Sequence, residues 1–263
     1  MKNFYYFITT ALPKLDFDQP PEISFRELEI LLKDNLTRSD YDKVRVVRRL
    51  YDIKNIRAFW QEEELDFRGN LDASFLEEAL FSPDSLLNIT FPSYIYQFID
   101  KYDDVQKRLD HFSELVVLSF KEELKHSSGF LHRYLAFERN LRLILLGFRA
   151  KQQGRDVALE LQYEDPEDII VAQILAQKDA QGYFAPEEFE DLIPLLENYY
   201  NKPLELQKAL CEYRFNKIDE MLGFDLFSID RILGYMIQLI MVENWHALDR
   251  EQGIKVVDKI INK

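Results

Sequence analysis

Two Glu-x-x-His pairs are the residues of this chain best spaced for chemistry: Glu123 with His126, and Glu243 with His246. A spacing of three puts both side chains of a pair on one face of a helix. Carboxylate-bridged di-metal bundles use two such pairs plus a glutamate from each of two other helices, and Glu138 is available as one of those. Against that constellation, His126 adjoins Ser127-Ser128-Gly129 and His246 also falls near a helix end, where an imidazole complements the helix dipole. The expectation is therefore no bound metal and no cofactor, with a carboxylate-bridged di-metal enzyme as the alternative.

Other carboxylates call for a structural explanation. Tyr134, Glu138, Leu141 and Leu145 share one helical face, and Met236, Leu239 and Glu243 share another. A carboxylate on an apolar face must find a partner, because isolated burial is expensive. Arg142 lies one turn after Glu138 and can supply one. Glu138, Arg142 and Glu243 are therefore expected in ion pairs between helices.

The stretch from Asp40 to Trp60 concentrates Lys43, Arg45, Arg48, Arg49, Lys54 and Arg57 on one helix of an acidic chain. Asp52 can reach Arg48 and Arg49. The surface of Lys43, Arg45, Arg48 and Arg49 is a candidate dock for an acidic protein partner. Nothing else points to catalysis: there is no glycine-rich phosphate loop, no GxGxxG and no Cys/His zinc spacing. The single Cys211 excludes an intramolecular disulfide and has no histidine near it in sequence. The chain is expected not to be an enzyme.

Positioning these residues is the work of helices. Only eight glycines and nine prolines punctuate 263 residues, which favours long helices. Ser24 with Glu27 has capping-box spacing and predicts a helix from Phe25 to about Lys33. Ser39 is expected to cap the basic helix, which runs to Trp60. A weak alternating patch from Glu64 leads to a turn at Gly69-Asn70, then a short helix from Leu71 to Phe81, ending before Pro83. Pro92 opens a helix, and the periodicity predicts one long helix from Asp103 to Lys125. Another runs from Phe130 to Gln153 with Gly154 as its C-terminal cap. Asp165-Pro166-Glu167, Ala185-Pro186-Glu187 and Pro203 each read as a helix start, and Ser228 caps a helix to His246. A separate last helix is expected from Gly253 to Ile261.

A phrase recurs along these helices. Asn55-Ile56-Arg57 precedes Gly69 by fourteen residues, and Asn140-Leu141-Arg142 precedes Gly154 by fourteen. Glu243-Asn244 with Gly253 is a looser third copy that shortens the spacing to nine. An all-α body of three pseudo-repeated units is expected, with units 1–82, 83–160 and 161–263 packed tightly. Seams are placed near 82–92 and 154–166.

Composition narrows the function. Apolar residues make up 47% and the net charge is −14, which opposes binding to nucleic acid or anionic lipid. No run approaches 18 uninterrupted apolar residues, so no direct membrane span is expected. Lys2 and the run from Phe4 to Leu12 faintly resemble a signal peptide. Thr9 and Thr10 dilute that run and no small-x-small site precedes Pro13, so a folded first segment is expected.

The opening, Tyr5-Tyr6-Phe7-Ile8-Thr9 with Leu12-Pro13 and Pro20-Pro21-Glu22-Ile23-Ser24, resembles a small bacterial family encoded alongside V-type ATPase subunits. The resemblance extends to Glu138-Arg139-Asn140-Leu141-Arg142 with Arg149 and Gly154, and to Tyr235 and Glu243-Asn244. Members of that family look like distant relatives of the C component of V/A-type ATPases, named d in eukaryotes. The resemblance implies three pseudo-symmetric helical bundles arranged as a funnel. It implies a non-catalytic central-stalk adaptor that seats the rotor shaft on the proteolipid ring of a proton- or sodium-transporting ATP synthase. The partners would be shaft subunits and that ring, and the location cytoplasmic, peripheral to the inner membrane. A helical interaction scaffold unrelated to the ATPase is the remaining alternative.

Overall fold

The computed structural model describes residues 5–81, 91–178, 180 and 182–261, and among these there are helices and no strand. The fold is all-α. In chain order the helices are α1 (Tyr6–Ala11), α2 (Phe25–Asn35), α3 (Arg38–Trp60), α4 (Ala73–Phe81), α5 (Ser93–Lys101), α6 (Val105–Asp110) and α7 (Phe112–His126). They continue with α8 (Gly129–Gln152), α9 (Val157–Glu160), α10 (Ile169–Ala176), a 3-10 segment (Glu187–Leu192), α11 (Ile193–Tyr199), α12 (Pro203–Met221) and α13 (Ile229–Ile261).

By compactness the chain forms two units, one of Met1–Tyr41 with Glu187–Lys263 and one of Asp42–Pro186. This differs from the three consecutive units expected from the repeat: the first unit is assembled from both ends of the sequence. Most of the expected seam at 82–92, residues 82–90 with the stop at Pro83, lies outside the described residues.

The first unit is organised around α13, whose residues Ile232, Leu233, Met236, Leu239, Ile240 and Val242 are buried. α2 and α12 both pack on α13, and α1 packs on α2. The face α2 buries is Phe25, Leu28 and Leu32, each fully inaccessible. Phe17, Cys211, Val242 and Trp245 form a smaller cluster, in which Cys211 is a buried hydrophobe.

In the second unit, Ile53 and Ile56 of α3, Leu76 and Leu80 of α4, Tyr94, Ile95 and Phe98 of α5 and Leu115 of α7 share one core, with Trp60 against it. Leu143 and Ala150 of α8 pack with Val157, Leu161, Val171 and Ile174 in another.

Local chemistry explains two helix boundaries directly. The Ser24–Glu27 capping box forms, and α2 starts at Phe25 as expected. Gly154 closes α8 in the left-handed region at φ +64°, as a C-terminal cap should.

Other boundaries correct the sequence reading. Thr37, not Ser39, caps α3: its Oγ1 accepts from the Asp40 amide, and Ser39 lies inside the helix. The expected long helix 103–125 breaks at His111. That imidazole stacks on Tyr102 with centroids 4.5 Å apart and its Nδ1 hydrogen-bonds Tyr163, holding the backbone out of helical register. Asp165-Pro166-Glu167 is a turn, and Asp168 caps α10 by accepting from the Ile170 and Val171 amides. α13 continues through Gly253 to Ile261 with no separate last helix.

Candidate functional site

The polar residues singled out by sequence are engaged in three latches of the second unit and in contacts of the first. The first latch joins α3 to the loop before α4. Arg48, Asp52 and Asn55 are 6%, 3% and 2% exposed. Asp52 Oδ1 accepts from the Asn70 amide at 2.6 Å and the Leu71 amide at 3.3 Å, and Oδ2 accepts from Asn70 Nδ2 at 2.6 Å. Burial pushes the Asp52 carboxyl above its ordinary range, and the bonds from Asn70 and Leu71 and the nearby Arg48 act in the opposite direction. Asn55 makes a two-way bond with Asp66: its Nδ2 donates to the Asp66 carbonyl and its Oδ1 accepts from the Asp66 amide, both at 2.8 Å. Arg48 donates to the carbonyls of Arg68 and Gly69. A Cβ on Gly69 would lie 2.6 Å from Asn55 Nδ2 and 2.8 Å from Asp52 Oδ1. The loop passes close enough to α3 only because residue 69 lacks a side chain.

The second latch centres on Glu123 of α7, 7% exposed. Arg49 of α3 donates to its Oε1 at 2.5 Å and Tyr94 of α5 donates to the same atom at 3.2 Å. One carboxylate therefore joins three helices. Burial, and next the Glu123 charge, push the Tyr94 hydroxyl well above the usual phenol range, so it stays a donor.

The third latch is Glu164, whose side chain is 4% exposed. Arg142 donates to its Oε1 at 2.7 Å and Arg139 to its Oε2 at 3.2 Å. Arg139 also reaches Asp168 at 2.9 Å, and Asp168 in turn caps α10.

These contacts correct several expectations. The acidic partner that Arg142 meets is Glu164, not Glu138, although Glu138 is buried at 8% exposure. In the first unit, Glu243 acts as a cap: its Oε1 accepts from the Phe25 amide at 2.7 Å, at the start of α2. Arg48 and Arg49 of the candidate partner surface are turned into latches. Arg45 is exposed and pairs with Asp42 at 3.1 Å, and Lys43 is half-buried. The Asn-to-Gly phrase serves different ends in its two closer copies. Gly69 is needed for close approach, whereas Gly154 is needed for its positive φ with open space around it.

The two Glu-x-x-His pairs lie in different units. His126 is exposed at the end of α7 and lies 3.8 Å from Glu122, while Glu123 faces inward to Arg49. His246 Nε2 lies 3.2 Å from the Phe17 carbonyl. Among the described residues, no three His, Cys, Asp or Glu side chains are placed to hold one metal ion.

Sequence reading missed one feature entirely. The first unit contains a cavity of about 530 Å³, lined by residues from Thr9 to Leu15, by Phe215 and Asp219 of α12, by Leu226 and Phe227, and by Arg231, Tyr235 and Gln238 of α13. Arg231 and Tyr235 belong to this lining, and Arg231 Nε and Tyr235 Oη are buried with no hydrogen-bond partner among the described residues. Their i, i+4 spacing on one helix was visible in the sequence. What could not be seen was that no other element among the described residues supplies them an acceptor.

No helix among the described residues is long and apolar enough to cross a membrane. The whole chain, residues 1–263, matches the family described as "Protein of unknown function (DUF2764)", and it belongs to that family. Among its relatives, a protein of Chlamydia trachomatis serovar D is 32% identical over 261 residues, 98% of each chain. A Chlamydia muridarum protein is 32% identical over 257 residues, 97% of each, and a Chlamydia pneumoniae protein 30% identical over 257 residues, again 97% of each. All three carry the description "Uncharacterized protein". No solved structure matches the chain.

Proposed function

We propose that this member of the DUF2764 family is a non-catalytic central-stalk adaptor of a V/A-type rotary ATPase, built from pseudo-repeated helical bundles and seating the rotor shaft on the proteolipid ring. The observation that supports the reading is where the resembling residues lie. Arg139 and Arg142 tie α8 to Glu164 and Asp168, Gly154 closes α8, and Glu243 caps α2. These residues stiffen joints within each unit, while Thr9, Leu12, Pro13 and Tyr235, which also carry the resemblance, line the cavity of the first unit. An adaptor that transmits torque needs stiffness in its joints, since a compliant one would store the rotation as strain.

The reading has a direct test. The tagged full-length protein, expressed in its own host and purified from gently solubilised membranes, should retain the shaft subunits and the proteolipid ring, identified by mass spectrometry. The complex should dissociate partly as salt is raised, because exposed ion pairs are screened. Recovery of the protein free of every ATPase subunit, at low salt and with the ATPase itself intact, would refute the proposal.

A further inference from the structure

The cavity beside α13 carries an inference independent of the adaptor reading. We propose that it binds a small molecule bearing one carboxylate on an apolar body. Its volume of about 530 Å³ lies within the range of small-molecule pockets. Most of its wall is apolar, with Leu12 and Leu15 from the segment after α1 and Phe215 and Phe227 from the other end of the sequence. Against that wall stand two polar groups that have no partner among the described residues, Arg231 Nε and Tyr235 Oη. A buried donor left without an acceptor costs free energy, so such a pair is expected to be completed by something from outside the chain.

The donors define what that is. A guanidinium has five donors and no acceptor, so its partner must be an acceptor, and its fork suits the two oxygens of a carboxylate. Tyr235 lies one turn after Arg231, so both present the same helical face to the cavity. Burial, and then the Glu22 charge, push the Tyr235 hydroxyl up to about 12, which keeps it protonated and donating. Three other polar side chains of the lining, Thr9, Thr10 and Gln238, are already engaged. Thr9 Oγ1 donates to the Tyr5 carbonyl and Thr10 Oγ1 to the Tyr6 carbonyl, while Gln238 Nε2 donates to the Phe215 carbonyl. The charges lining the cavity are Lys14 and Arg231 against Asp219, two positive and one negative. With the Glu22 charge that reaches Tyr235, these surroundings are close to neutral, so the one guanidinium suits a monoanion better than a phosphate dianion.

Isothermal titration of the full-length protein with 3-phenylpropionate tests this, with 3-phenylpropionamide and inorganic phosphate as controls. The expected result is saturable one-to-one binding of the carboxylate, with the neutral amide about tenfold weaker or more because it lacks the charge that the guanidinium pairs with. Phosphate should give no saturable heat. Arg231→Met should weaken carboxylate binding by about tenfold or more. Tyr235→Phe should weaken it severalfold while leaving the unliganded melting temperature equal or higher, because it removes an unpaired buried hydroxyl. That last readout separates a ligand role from a structural one and decides the matter should Arg231→Met fail to fold. Equal affinity for acid and amide, unchanged affinity in Tyr235→Phe, or no saturable heat with 3-phenylpropionate or with octanoate would overturn the proposal.

Discussion

Glu164 should be the costliest acidic side chain to remove from the second unit. Its side chain is 4% exposed and holds Arg142 at 2.7 Å and Arg139 at 3.2 Å. Truncation in Glu164→Ala leaves two cations facing the hole. Breaking a buried pair by removing one partner typically costs about 3–5 kcal/mol. Two observations place this case at the lower end. Arg142 is 24% exposed and regains some hydration, and Arg139 keeps Asp168 at 2.9 Å. The expected loss is about 3 kcal/mol, or roughly 6–12 °C in the melting transition for a chain of this size. Glu164→Gln, which keeps an acceptor but adds a donor facing two donors, should fall between wild type and alanine. The assay is thermal and urea denaturation followed by circular dichroism, extended to a double-mutant cycle with Arg142→Met. A coupling energy of about 1–2 kcal/mol is expected between the two positions. A change under about 0.5 kcal/mol in Glu164→Ala, the level of an ordinary surface substitution, would refute the reasoning.

Three further outcomes are expected. Gly69→Ala should lose about 2–3 kcal/mol in urea titration, because the new Cβ meets two polar atoms already fixed by hydrogen bonds, whereas Gly154→Ala, strained only by its φ, should lose about 1 kcal/mol; equal losses would contradict the two roles. Arg49→Glu should lower the melting temperature sharply by opposing Glu123, while Arg45→Glu, at an exposed pair with Asp42, should leave it unchanged, and matching effects would show that the two arginines share one environment. Glu114 is opposed by burial, but Lys101 at 2.7 Å and the Tyr102 hydroxyl at 2.6 Å outweigh it and hold its carboxyl below the ordinary range. Its contribution is therefore present above the unfolded pKa of about 4.3 and lost as pH falls through the lower folded value, so wild type and Glu114→Gln should converge in stability on acidification; parallel acid limbs would remove this pair from the account.

Much of the helix pattern was legible because its signals are local. The Ser24–Glu27 box, the proline at Pro203 and the cap at Gly154 each act within a few residues, and each marks its boundary. The break at His111 was not legible, because it depends on Tyr102 and Tyr163, the second of them 52 residues away. The same limit governs the charged residues. Sequence could say that Glu138, Arg142 and Glu243 need partners, but a neighbour one turn away is only one candidate. Arg142 instead met Glu164, 22 residues on, and Glu243 met the Phe25 amide, 218 residues back. The basic helix misled for a related reason: Arg48 reaches backbone carbonyls, which carry no signature in composition. The cavity was hidden because an unpaired donor is defined by what every other element fails to offer.

The discontinuous first unit has a consequence for synthesis on the ribosome. Asp42–Pro186 is contiguous and has all its residues once the nascent chain passes Pro186. Met1–Tyr41 must wait for Glu187–Lys263, although it emerges first. During that interval the α2 face of Phe25, Leu28 and Leu32, fully covered in the finished protein, has no α13 to cover it, and the α2 terminus has no Glu243 to cap it. Joining the two ends across the intervening segment carries a loop-closure cost that rises only slowly with length, so the finished unit tolerates the arrangement, but the growing chain does not escape the delay. Translation therefore leaves an apolar helix waiting, which is the kind of segment that chaperones hold. Moving residues 1–41 behind residue 263 by circular permutation would shorten the wait, at the cost of cutting α3 between Tyr41 and Asp42.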